Sequence, residues 1–153
     1  MAEDVFHISI LHKICMAIQT FITKKGEWKS SEIEQLVLKL VQSNPSEKIF
    51  YIVDAVIQTY IAYGREDIEI EQLVSKLIQS NSPEKVFYIV NAVIQTYITK
   101  KRKSSEIEQL VSKLIQSNSP EKVFYIVKAT VQAYITKKRK SSEIEQLVLR
   151  LVQ

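Results

Sequence analysis

The tetrapeptide Ile-Glu-Gln-Leu begins at Ile33, Ile70, Ile107 and Ile144, three equal steps of 37 residues. Self-similarity at a fixed spacing constrains the fold more than any local propensity, because each copy must build the same supersecondary unit. A second block repeats with it: AIQTFI from Ala17, VIQTYI from Val56, VIQTYI from Val93 and TVQAYI from Thr130. Its first copy precedes the second by 39 residues, because Lys25-Gly26-Glu27-Trp28-Lys29 is two residues longer than the matching Lys-Arg-Lys linker. Residues 70–106 and 107–143 differ only in Asn91/Lys128, Val93/Thr130, Ile94/Val131 and Thr96/Ala133. Such closeness follows from recent duplication or from deliberate copying of a module.

One copy, from Ser104 to Lys140, contains two helix patterns. Ser105 followed by Glu108 reads as a capping box opening the first. Ile107, Leu110, Val111, Leu114 and Ile115 then recur at the spacing of one α-helical face. Gln116-Ser117-Asn118 breaks that pattern. Ser119-Pro120-Glu121 starts a second helix: an N-cap, a proline in the first turn where no amide is needed, and an acid near the positive end of the dipole. On its wheel Val123, Phe124, Ile126, Val127, Thr130, Val131, Tyr134 and Ile135 span about half the circumference. A helix apolar over that width needs neighbours on more than one side.

Applied along the chain, these signals predict helices at 4–25, 31–43, 46–63, 67–80, 83–100, 104–117, 120–138 and 141–153, with no strand pattern. Short connections make consecutive helices antiparallel neighbours. The expected fold is all-α: a right-handed α-α solenoid of antiparallel hairpins forming one domain. It has a divergent N-terminal half-unit at 1–30, repeats at 31–66, 67–103 and 104–140, and a half-repeat at 141–153. The period and the helix-turn-helix unit resemble the tetratricopeptide and pentatricopeptide class of α-solenoids over nearly the whole chain. The resemblance is one of architecture. The Trp, Leu-Gly and Ala-Phe-Pro landmarks of the tetratricopeptide motif are missing, although Pro120 and its equivalents do mark a helix boundary, so no functional residue carries over.

Composition narrows the function. Apolar residues make up 46% and charged residues 25%, which suits a soluble globular chain. A net charge of +4 and a pI near 9.1 permit an anionic partner without requiring one. One cysteine, Cys15, allows neither an intrachain disulfide nor a thiolate metal cluster, and fits a reducing, cytoplasmic setting. Glu3 and Asp4 before the first apolar stretch, with His7, His12 and Lys13 inside it, do not read as a secretory signal. No apolar run approaches the roughly 18 residues a membrane span needs.

Catalytic chemistry has no visible constellation. His7 and His12 are the only histidines, and His12 with Cys15 offers two ligands at i, i+3, too few for a metal site. With only Gly26 and Gly64 there is no glycine-rich phosphate loop. The expectation is a non-enzymatic scaffold with no cofactor or metal.

Two binding surfaces suggest themselves. Lys100-Lys101-Arg102-Lys103 and Lys137-Lys138-Arg139-Lys140 occupy the same linker in successive copies, while the preceding copy interrupts the track with Ala62-Tyr63-Gly64-Arg65-Glu66-Asp67. These runs are either a track for phosphates and acidic groups or favourable charge at helix C-termini beside the next helix's acids. The polar half of the second helices carries three rows. Tyr51, Tyr88 and Tyr125 form one, continuing from His12; Asp54, Asn91 and Lys128 continue from Cys15; Gln58, Gln95 and Gln132 continue from Gln19. A constant aromatic and amide around a variable residue could read a polymer unit by unit, or could be a solvated face free to drift.

The last helix keeps a full apolar set and carries Leu149 where the inner copies have Ser75 and Ser112. Leu147, Leu149 and Leu151 are therefore candidate contacts to another chain. The leading expectation is a scaffold for a protein or peptide, with possible homo-oligomerisation and no membrane. The alternatives are single-stranded nucleic-acid binding through the basic linkers and the Tyr/Gln rows, and an engineered or structural array with no ligand.

Overall fold

A computed structural model describes residues 2–25, 28–65 and 67–152, with side chains over 9–21, 28–65 and 67–152. Among these residues there are eight α-helices and no strand: α1 (Ala2–Lys25), α2 (Ser30–Gln42), α3 (Ser46–Ala62), α4 (Asp67–Gln79), α5 (Pro83–Thr99), α6 (Ser104–Gln116), α7 (Pro120–Thr136) and α8 (Ser141–Leu151). The helix boundaries follow the sequence expectations to within two residues at nearly every described end. The His7 side chain lies outside the described residues.

The long helices α1, α3, α5 and α7 pack successively side by side. The short helices α2, α4 and α6 each rest on the long helix that follows, and α8 rests on α7. This gives two layers with the apolar core between them. Ile70, Leu73, Val74, Leu77 and Ile78 of α4 are all fully buried, as the i, i+3, i+4, i+7, i+8 spacing requires, against Val90, Val93 and Ile94 of α5 in the same core.

The ends of the elements have identifiable causes. Each inner short helix closes with Ser and Asn: Ser80 Oγ donates to the Lys76 carbonyl at 2.8 Å and Asn81 Nδ2 to the Leu77 carbonyl at 2.7 Å, and Ser117 and Asn118 repeat the arrangement. These side chains satisfy carbonyls that a helix C-terminus leaves without amide partners. Ser119 caps α7 as expected, its hydroxyl accepting from the Lys122 amide. The capping box at Ser105 and Glu108 does not form. α6 begins at Ser104, where the helix was expected, but Lys103 and not Ser105 takes the N-cap position, with no side-chain bond.

Each inner long helix exits through a Schellman turn. The Lys101 amide bonds the Ile98 carbonyl and the Arg102 amide the Tyr97 carbonyl; Lys138 with Arg139, and Gly64 with Arg65, repeat this. The turn needs a left-handed residue, and the φ values are +67° at Gly64, +60° at Lys101 and +57° at Lys138. A side chain in that region costs roughly 1–2 kcal/mol, which glycine avoids. Lys101→Gly and Lys138→Gly are each expected to raise the free energy of unfolding by about 1 kcal/mol, measured by urea titration. Lower stability in both would contradict the turn geometry.

Candidate binding surfaces

The two basic linkers come together. Lys101, Arg102, Lys103, Lys137, Lys138, Arg139 and Lys140, with Ile98, Ser104 and Glu143, line one groove of about 630 Å³. Lys100 does not line it. The arginines and lysines of the groove do different work. Arg102 reaches Asp67 at 3.3 Å and Glu106 at 3.8 Å and lies over the Tyr97 ring, and Arg139 reaches Glu143 at 3.5 Å. Arg65 makes the same tie to Glu69 at 2.7 Å and covers Trp28. The arginine of each linker thus fastens the exit of one long helix to the start of the next short one. Lys101, Lys103, Lys137, Lys138 and Lys140 are exposed, and no ion pair engages them among the described residues. All five line one opening, where each raises the attraction for an anion. Behind the linkers lie Tyr97 and Tyr134, whose phenol pKa values burial pushes above the usual range. They remain neutral and structural.

The three rows on the long helices divide. Tyr51, Tyr88 and Tyr125 are half-buried, each held edge-on against the preceding phenylalanine, with ring centroids 5.5, 5.4 and 5.3 Å apart. Gln58 and Gln95 are half-buried and donate to Asp54 and Asn91 within their own helices, at 3.1 and 2.8 Å; Gln132 is exposed. The middle row corrects the expectation of a solvated face. Asp54 is buried and accepts a hydrogen bond from Thr96 Oγ1 of the next long helix at 2.6 Å. Cys15, one copy earlier, lies 3.3 Å from Thr59 Oγ1 of α3. Asn91 is half-buried and Lys128 exposed. The first two members of this row therefore lie at the junctions between successive long helices, Cys15 against Thr59 and Asp54 against Thr96. Cys15 is engaged there, and no group of three or more metal-ligating side chains occurs among the described residues.

A second set of cross-links was not read from the sequence. Lys76 of α4 binds Glu34 of α2 at 2.6 Å, Lys113 of α6 binds Glu71 of α4 at 3.2 Å, and Arg150 of α8 binds Glu108 of α6 at 2.5 Å. The spacing is 42 residues each time. Lys85 and Lys122 add a further tie, each donating from the start of a long helix to the last carbonyls of the short helix 43–44 residues before it. The signal was present, since acid and base recur at the same positions in every copy. The offset that joins them appears only when the helices are stacked.

Of the proposed oligomer contacts, Leu149 is 52% exposed and Leu151 half-buried, but Leu147 is fully buried. Leu147 belongs to the apolar core and is not available for contact with another chain. No described helix is long and apolar enough to cross a membrane. No family model matches this chain, and no curated protein matches it.

Proposed function

We propose that the two layers form a right-handed α-α solenoid, and that the chain is a non-enzymatic scaffold whose basic groove holds an acidic segment of a partner protein. The handedness is taken from the repeat class that the chain resembles. The observation that supports the ligand is the groove between the last two linkers, with five exposed lysines and the two arginines held back in ion pairs. An extended acidic segment fits such a site because the lysines are mobile point charges that need no fixed ligand geometry.

The position of the aromatic row weighs against single-stranded nucleic acid as the ligand. Sequence-tolerant binding of single strands combines a charged track with exposed rings on which bases stack. Among the described residues, no aromatic side chain lines the groove. Tyr88 precedes Lys101 by thirteen positions in the chain, roughly 20 Å along a helix at 1.5 Å per residue. The tyrosines and lysines are thus near opposite ends of the long helices.

Fluorescence anisotropy with a labelled oligoglutamate peptide tests the reading. Binding should weaken as salt rises, since exposed charges are screened. Reversing Lys101, Lys103, Lys137, Lys138 and Lys140 to Glu should reduce affinity by on the order of tenfold or more while the helical signal is unchanged. Equal binding by the reversed protein would overturn the assignment. Tighter binding of oligothymidylate than of the peptide would favour the nucleic-acid alternative.

A further inference from the structure

The repeated packing leaves two unlike ends, and they match each other. On α5, which has α7 beside it, Val86, Val90 and Ile94 are fully buried. Their equivalents Val123, Val127 and Val131 on α7 are only half-buried. Phe124 is 62% and Ile135 52% exposed, while the corresponding Phe87 and Ile98 are half-buried. On α8, Leu149 at 52% and Val152 at 71% continue this uncovered face.

The opposite end carries half of an internal groove. Between α4 and α6 a cleft of about 170 Å³ has one wall of Tyr97, Glu106, Gln109, Leu110 and Lys113, and a second wall of Asp67, Ile68 and Glu71. At the α1–α2 end, Phe21, Glu32, Gln35, Leu36 and Lys39 form a cleft of about 330 Å³. These five residues are the repeat equivalents of the first wall, position for position. The equivalents of the second wall are Ser141, Ser142 and Glu145, on α8 at the far end.

Charge follows the same pattern. Glu34, Glu71 and Glu108 each hold a base on the next short helix. Glu145 stands in the same position on α8 and Lys39 in the basic position on α2, and neither has an ion pair among the described residues. Exposed Met16 occupies the place where α3, α5 and α7 have buried Ala55, Ala92 and Ala129. It can lie on Phe124 of a second copy, a sulfur–aromatic contact.

We propose that this chain associates end to end with a second copy of itself. The α7–α8 face of one copy takes the α1–α2 face of the next, and Glu145 meets Lys39 in the register that the internal pairs use. The contact is heterologous, so it propagates and does not close on itself as a symmetric dimer would.

Sedimentation velocity of the 153-residue chain across the micromolar range tests the proposal. The wild-type protein should shift to larger species as concentration rises. Met16→Glu blocks one end and Phe124→Glu the other; each alone should associate at least roughly tenfold more weakly. An equimolar mixture should form a 1:1 dimer through the two unaltered ends. Both side chains are exposed, so both variants should fold. Lys39→Glu and Glu145→Lys provide a second complementary pair that removes no apolar contact, and their mixture should likewise associate more strongly than either alone. A wild type that stays monomeric at high micromolar concentration would overturn the proposal. So would a Met16→Glu protein that still dimerises, because that dimer would join two α7–α8 faces.

Discussion

Leu77→Ala should lower the free energy of unfolding by about 3–4 kcal/mol, while Leu40→Ala and Leu151→Ala should lower it by roughly half as much. The three leucines occupy the same repeat position on α4, α2 and α8. Leu77 is fully buried in the core shared by α2, α4 and α5. Leu40 and Leu151, on the first and last of the short helices, are half-buried. The chemistry removed is identical in all three, so the difference measures how far the neighbours enclose each site. Urea denaturation at low micromolar concentration keeps association out of the comparison. Equal losses at the three positions would contradict the layered packing.

Thr96→Val should cost about 2 kcal/mol, more than its near-identical shape suggests. The Thr96 hydroxyl lies 2.6 Å from an Asp54 carboxylate oxygen and 2.7 Å from the Ala92 carbonyl, within the buried junction of α3 and α5. Valine fills the space but withdraws the hydroxyl from the largely buried Asp54 carboxylate. The next junction shows the compatible alternative, Asn91 with Ala133. The double variant Asp54→Asn with Thr96→Ala imports that pair and should return to within about 1 kcal/mol of wild type, because the remaining group is neutral. A double-mutant cycle measures the coupling, expected at roughly 1–2 kcal/mol. Additive effects would mean that the two side chains do not act as a pair.

The helices were legible because their signals are local. Pro83 and Pro120 in the first turn, the Ser-Asn closures after α4 and α6, and the 3.6-residue apolar period each act within one or two turns of chain. The basic linkers were legible as a cluster because they recur at one repeat position. Their internal division was not, since whether Arg102 is committed depends on Asp67, thirty-five positions earlier in the chain. The same limit explains the error at Asp54. A helical wheel places it among polar residues, but cannot show that a threonine from the next helix covers it. The changes along that row carried a clue, since Thr96 and Ala133 differ between copies just as Asp54 and Asn91 do. The capping box failed for a local reason: the Lys103 carbonyl receives the amides of both Glu106 and Ile107, so Ser104 is drawn into the helix and Ser105 sits within its first turn.

Zero-length carbodiimide cross-linking read by mass spectrometry tests the stacking register most directly, because it joins only amines and carboxylates already in contact. The structure predicts isopeptide links between Lys113 and Glu71 and between Lys76 and Glu34, both across 42 residues, at protein concentrations where the chain is monomeric. Cross-links from Lys113 to Glu34, or from Lys76 to Glu108, without those two would contradict it.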